Sequence, residues 1–425
     1  MLAAVHAQIP FIPIMRNQPQ KRIDEIAGQL GIKQIFSSAN IFTTKNEKAY
    51  RLQSSLNPKS MYALFTSGST GKPKGVLISE NNMVNTILWG IENFELTKLD
   101  KIGVTTSLHF DISIFDIFQG LVTSTPIFLV PEQVSATRIV DLIGSQRITS
   151  IFSTPSLFSQ ISSSGLLDRI NRSDLRRIIS GGDFFLPHDL LLWMEAAPHI
   201  EIYNVWGPTE TTIVNTAHLV GSEDRNQLQQ GLPISIGRST PRMRIRIMET
   251  DNDASSDFIT VDDQVGELVV QGDSVGLGYL SEDSVKSSAF GEVDGNRFFR
   301  TGDLGFRRGE DFFIVGRSST LLKYQGYRID PREVEFHASN FHSVRNACLI
   351  LSSVGSMQEF LVLLIEVNDN SFNVTRLKTH LRERLPQYMI PKRVIITNQI
   401  PFNSNGKLDR TESRRIAESW MQENL

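Results

Sequence analysis

The sequence predicts an α/β protein with a smaller α+β domain at its C-terminal end. Through residues 62–317, strand-like apolar runs alternate with helical patterns, as expected of strands that need helices to cover them. Past 312–317 (FFIVGR) the pattern changes: a polar stretch, Arg317-Ser318-Ser319-Thr320, leads into strand, strand, helix, strand over about a hundred residues, within the ordinary domain range. At 425 residues, 40% hydrophobic and 21% charged, the chain has the composition of a soluble globular protein large enough for two or three structural units.

Composition also excludes. A net charge of −3 gives no general pull toward nucleic acid or anionic membrane, so a bound anion must be met locally. The single cysteine, Cys348, rules out an intrachain disulfide and fits a reducing, cytoplasmic compartment; its run, NACLILSS, reads as a buried strand and Cys348 as a core residue. The eight histidines lack close metal-ligand spacing, and no apolar run approaches a membrane span.

In order, MLAAVHAQIPFIPIM lacks a basic leader and a small-residue cleavage pattern, which argues against a signal peptide; it reads as a helix tail running into a strand. Residues 17–32 carry a helical pattern (Ile23, Ile26, Ala27, Leu30) ending at Gly31, and KQIFSS reads as the next strand of an α/β crossover. Residues 62–79, YALFTSGSTGKPKGVLIS, then form a strand, a hydroxyl-rich loop and a returning strand. Glycines 68, 71 and 75 let backbone N–H groups face an anion, Thr66, Ser67, Ser69 and Thr70 add donors, and Lys72 and Lys74 add charge, so the loop suits a polyphosphate. A mobile surface hairpin is the plainer alternative. It is not a Walker loop, because the four-residue spacing is missing and Pro73 would break the following helix.

Residues 81–100 read as a helix and IGVTTSL as a strand. The apolar residues at 110, 114, 115, 117, 118 and 121 fit a buried helix, at whose start Asp111 would suit an N-cap. ITSIFS and RRIIS read as strands, and the SGG that follows as a turn closing the second. YNVWGPTETTIV is a strand, a Gly-Pro turn and a threonine-rich return. GELVVQGDSVGLGYL alternates as a half-buried strand does, and Asp303 in RTGDLGF has the setting of a turn former. Near the end, Asn405-Gly406 makes a tight turn that presents Lys407 on an exposed tip.

These stretches, at least six motifs in order over essentially the whole chain, resemble those of the adenylate-forming superfamily: acyl-CoA synthetases, luciferases and the amino-acid-activating domains of nonribosomal peptide synthetases. The resemblance implies a large core of layered sheets and helices (1–317), a hinge (318–320) and a small mobile domain (321–425) carrying the catalytic lysine. It implies an AMP-forming acid–thiol ligase that uses ATP and Mg²⁺. Thr66, Ser67, Gly68, Ser69, Thr70, Gly71 and Lys74 would hold phosphates, Glu210 the Mg²⁺, and Gly181, Gly182, Asn204, Val205, Trp206, Gly207 and Thr209 the adenine side. Asp303 would meet the ribose hydroxyls, with Arg317 beside the nucleotide. Lys407 would bridge the substrate carboxylate and the α-phosphate, then swing away about Ser319.

Phe110-Asp111 resembles the element whose aspartate meets an amino acid's α-ammonium, a group that an apolar pocket holds only against a compensating charge. The residues in the family's pocket positions, Ile112, Phe115, Phe152, Ile179, Gly181, Val205, Ile213 and Val214, are apolar or small. They point to a branched aliphatic amino acid such as isoleucine or valine, passed to the phosphopantetheine thiol of a separate carrier protein; the alternative acceptor is CoA. Three departures stand out: Trp206 replaces the usual tyrosine, Ser319 replaces the hinge Asp or Lys, and the family's first stretch is absent, as from an N-terminally truncated chain or one that dispenses with that layer. No carrier domain follows Lys407. Two other classes stay open, an acyl- or aryl-CoA ligase, which would not need Asp111, and an inactive truncated remnant that only binds.

Overall fold

The structure, a computed structural model, describes residues 1–14, 23–24, 26–28, 34–36, 41–43, 60–67, 73–131, 134–249, 258–280, 289–293, 295–317, 322–324, 327–329, 331–352, 360–368, 372–385, 387–403 and 407–424. The glycine-rich residues 68–72, the hinge 318–320 and the turn 404–406 lie outside them.

Strands β1 (Ser60–Ser67) and β2 (Pro73–Ser79) pair antiparallel across the phosphate-type loop. Ser79 then caps helix α1 (Glu80–Asn93): its hydroxyl accepts from Asn82 N at 3.2 Å, and Asn82 Oδ1 accepts from Ser79 N at 2.9 Å. The helix ends earlier than the pattern over 81–100 predicts.

Next come the parallel strands of the main sheet, β3 (Ile102–Val104), β4 (Ile127–Leu129), β5 (Ser150–Ser153), β6 (Arg177–Ser180) and β7 (Glu201–Trp206). β8 (Thr216–Leu219) and β9 (Arg238–Ser239) extend one edge antiparallel, giving the order β9-β8-β7-β6-β5-β3-β4. Side chains alternate across a strand, so Ile151, Ile178 and Ile202 enter one core with Phe158 and Trp193, whereas Phe152, Ile179 and Val205 enter the other with Tyr62 and Phe115. Covering both faces is why these strands read as unbroken apolar runs. Helix α2 (Asp111–Thr123) lies in the second core with Ile112 through Ile117 all buried.

A second, antiparallel sheet is built from β10 (Met243–Met248), β11 (Gly266–Gly272), β13 (Phe290–Val293), β14 (Asn296–Arg308) and β15 (Asp311–Arg317), while β12 (Gly278–Tyr279) joins β2. The half-buried reading of β11 is corrected: Gly266 to Gln271 are all buried, and the charged Glu267 among them is tolerated because Arg300 (3.0 Å to its Nε) and the Gly302 N–H (3.0 Å) satisfy it. The reading of KQIFSS as a crossover strand is corrected too, since Gln34–Phe36 pairs antiparallel with Ile41–Thr43.

In the C-terminal part, α3 (Pro331–Ser339), β16 (Val344–Ser352), β17 (Phe360–Val367), α4 (Val374–Arg382), β18 (Arg393–Thr397) and α5 (Arg410–Asn424) form a three-stranded sheet with helices on both faces. Leu349, Leu361 and Leu363 enter one core, and Cys348, Ile350 and Leu364 the other with Met421 of α5. Burial pushes the Cys348 thiol up to about 11, as suits a core residue. Among the described residues no helix is long and apolar enough to cross a membrane.

Candidate active site

Asp111, Gly181 and the 206–214 turn lie off the carboxyl ends of β3, β6 and β7, the edge where open α/β sheets place ligands. Asp111 is the first residue of α2; Phe110, not Asp111, occupies the N-cap position, which corrects the plain capping alternative. One Asp111 oxygen accepts from the Ile112 N–H at 2.9 Å and the other from the Thr209 hydroxyl at 2.8 Å. Burial raises its pKa above the usual carboxylate range, and those two hydrogen bonds and the Lys407 ammonium work against that rise. The lysine tip and the carboxylate are thus within electrostatic reach. Lys407 is exposed, and its turn is closed by Asn403 N–H to Lys407 O at 2.8 Å and Lys407 N–H to Asn403 Oδ1 at 3.0 Å.

Glu210 sits in a single 3₁₀ turn (Thr209–Thr211). Its carboxyl is pushed up by burial and by the Asp111 charge, and drawn down by the Tyr279 hydroxyl and the Arg317 charge. Tyr279 donates to Glu210 Oε1 at 2.9 Å; burial and the Glu210 charge push the phenol well above its usual range, so it stays a donor. Lys74 Nζ lies 5.4 Å from the centroid of the same ring. Tyr279 is the site residue the sequence reading missed, its GYL stretch having read as structural. Among the described residues no three His, Cys, Asp or Glu side chains gather as a metal site. Glu210 offers one hard oxygen donor that fits Mg²⁺ where a phosphate ligand brings the remaining oxygens.

Trp206 donates its indole N–H to Asp303 Oδ2 at 3.0 Å, and Arg317 Nε lies 3.4 Å from Asp303 Oδ1, across the β14–β15 pair. The two aromatic and acidic positions are therefore one unit. Asn204 is tied back to the Ser235 carbonyl at 2.8 Å. Gly181 is buried and Gly182 has φ +85°; a Cβ on Gly181 would lie 2.8 Å from Val205 Cγ2 and 3.3 Å from Phe152 Cε2.

The apolar positions Ile112, Phe115, Phe152, Ile179, Val205, Ile213 and Val214 share one core cluster, with the Phe115 and Phe152 rings 5.7 Å apart, edge to face. The turn that delivers Ile213 and Val214 has a left-handed backbone at two β-branched residues, Thr212 (φ 62°) and Ile213 (φ 74°). Such strain persists only where neighbours over-determine it. Here the Thr212 hydroxyl donates to Ser274 O at 2.7 Å, Thr86 Oγ1 donates to Thr212 O at 3.2 Å, and a Cβ on Gly207 would strike Ile213 O at 2.5 Å. On β1, Thr66 and Ser67 are placed by their backbone; Gly68, Ser69, Thr70 and Gly71 lie outside the described residues.

The family model described as AMP-binding enzyme matches residues 1–280. A D-alanine–D-alanyl carrier protein ligase of Bacillus cytotoxicus is 30% identical over 437 residues, covering 96% of this chain and 85% of that protein. Among solved structures, Klebsiella oxytoca NpsA in complex with 3-hydroxyanthranilyl-AMSN superposes with a TM-score of 0.81 at 21% identity, covering 99% of this chain and 86% of that one. ATP-bound MatB from Rhodopseudomonas palustris does so with a TM-score of 0.79 at 19% identity, with the same coverage. The chain belongs to the AMP-binding enzyme family, within the adenylate-forming superfamily, and its class of chemistry is that of an AMP-forming acid–thiol ligase.

Proposed function

We propose that this protein activates an amino acid as its aminoacyl-adenylate and passes it to the phosphopantetheine thiol of a separate carrier protein. The observation that carries the reading is Asp111: a desolvated carboxylate, oriented by Thr209 and the Ile112 N–H beside an apolar wall, is what a substrate ammonium needs and a fatty or aryl acid does not. The relative named for a D-alanine substrate and a carrier protein supports the same class.

In the first step a substrate carboxylate oxygen bonds to the α-phosphorus of ATP and the bond to the pyrophosphate oxygen breaks. No net proton transfer is required, so positioning and positive charge do most of the work. Lys407 holds the carboxylate and α-phosphate together, the 66–74 loop holds the outer phosphates, and Asp303 with Trp206 and Arg317 receives the nucleoside. Glu210 would hold Mg²⁺, which when bound offsets phosphate charge. In the second step the thiol sulfur bonds to the acyl carbon, AMP leaves and the thiol proton is released. The core spans 1–317 and the small domain 321–425, turning about 318–320 between steps.

The apolar lining disfavours polar side chains, whose hydrogen bonds would go unmet. A small side chain such as alanine's is the first reading, supported by the D-alanine substrate for which the relative is named. Isoleucine or valine is the second reading, favoured by the aliphatic lining alone. The test is amino-acid-dependent exchange of labelled pyrophosphate into ATP with both enantiomers of alanine, with valine and isoleucine, and with benzoate and a fatty acid. Exchange with an amino acid, lost in Asp111→Ala, is expected; exchange only with acids lacking an amino group would overturn the reading in favour of a CoA ligase.

A further inference from the structure

Lys407 belongs to the C-terminal part, yet its charge acts on Asp111 of the core, so something must fix the direction in which the lysine tip points. Three residues beyond Lys407, Arg410 is clamped from several sides. Its guanidinium holds both oxygens of Glu335 on α3, one at 2.8 Å, and donates to the Leu349 carbonyl at 2.9 Å. Glu335 is only 6% exposed and also accepts from the Leu349 N–H at 2.6 Å. Such a bidentate buried pair fixes direction as well as distance.

The same helix grips the core. The Phe336 ring meets Phe184, in the turn after β6, edge to face at 5.6 Å. Just past the end of α3, Asn340 donates to the Gly231 carbonyl at 3.2 Å. Gly231 has φ +67°, and a Cβ there would lie 2.4 Å from the Asn340 amide nitrogen, so glycine gives this contact its room.

We infer that α3 is the element that aims Lys407: Glu335 holds the lysine tip through Arg410, while Phe336 and Asn340 seat the helix on Phe184 and Gly231. These are positioning residues for the adenylation step, and the inference rests on the role given to Lys407 above. A tip displaced by an ångström or so loses rate with little effect on substrate binding, roughly 10- to 100-fold.

The experiment measures pyrophosphate exchange, with whichever amino acid supports it best, for Phe336→Ala/Asn340→Ala, Phe336→Leu, Glu335→Gln and Lys407→Ala, alongside thermal melting. Expected for the double variant is a kcat lower by about 10- to 100-fold, with KM for ATP and amino acid near wild type and an unchanged Tm. Phe336→Leu, which keeps an apolar contact, should recover part of the rate. If Glu335→Gln fails to fold, the double variant still decides. Wild-type kcat in the double variant while Lys407→Ala is inactive would overturn the inference, as would a loss confined to KM. Full exchange in Lys407→Ala would instead overturn the role of the lysine itself.

Discussion

The Thr209 hydroxyl and the Asp111 carboxylate meet at 2.8 Å, joining the turn after β7 to the first residue of α2. That bond orients the acid and supports its charge in a buried setting. Removing it in Thr209→Val should cost about 1.5–3 kcal/mol, the usual worth of a hydrogen bond to a charged group, read as a higher KM for the amino acid.

The same pair sets a pH dependence. Burial raises the Asp111 pKa, and only the ionised form can hold an ammonium. As pH falls through that raised pKa, KM for the amino acid should climb while KM for ATP stays level. Thr209→Val removes a stabiliser of the carboxylate, so its pKa rises further and the climb begins at higher pH. A KM profile with no shift between the two proteins would contradict this.

Tyr279→Phe should weaken the response to Mg²⁺. The hydroxyl lost is the donor that orients Glu210, so the magnesium titration of pyrophosphate exchange moves to higher concentration while the fold, and therefore Tm, is little changed. An unaltered titration would remove Tyr279 from the site.

Trp206→Phe keeps an aromatic face and loses the N–H that fixes Asp303. KM for ATP should rise roughly tenfold, in line with a lost charge-assisted bond, with KM for the amino acid unchanged.

Asp116 offers a test of stability away from the chemistry. It is 3% exposed in the middle of α2, its Oδ2 meets no partner among the described residues, and burial pushes its pKa well above the carboxylate range. A raised folded-state pKa means stability that is full below the unfolded pKa and lost as pH rises through the folded one. Asp116→Asn should therefore melt higher than wild type at neutral pH, by about 1–3 kcal/mol, and the gap should narrow as the buffer is acidified toward the ordinary aspartate range.

The alternation of β3 to β7 with helices was legible because burial on two faces writes unbroken apolar runs, and the motif turns stood out through glycine and proline. Contacts between distant residues were not. Tyr279 reaches Glu210 across 69 positions and Trp206 reaches Asp303 across 97, and neither spacing leaves a periodic trace. A signal did exist for the second: a tryptophan in place of tyrosine is an N–H donor seeking an acceptor. Glu267 misled for the opposite reason, since a charged residue in alternation reads as outward-facing unless the partners that satisfy it, Arg300 and the Gly302 N–H, are known.

The turn at Thr212 and Ile213 bears on any attempt to re-engineer the pocket. Ile213 presses its carbonyl into the space that a side chain at 207 would need, and Thr212 is pinned from β11's far end by Ser274 and from α1 by Thr86. Loops so interlocked behave as one inheritable part. A library that varies Ile213 or Val214 alone would mostly sample broken turns, whereas a graft that carries 207–214 together with 273–276 and Thr86 transfers the shape intact and leaves Ile112 and Phe115 on α2 free to be chosen afterwards.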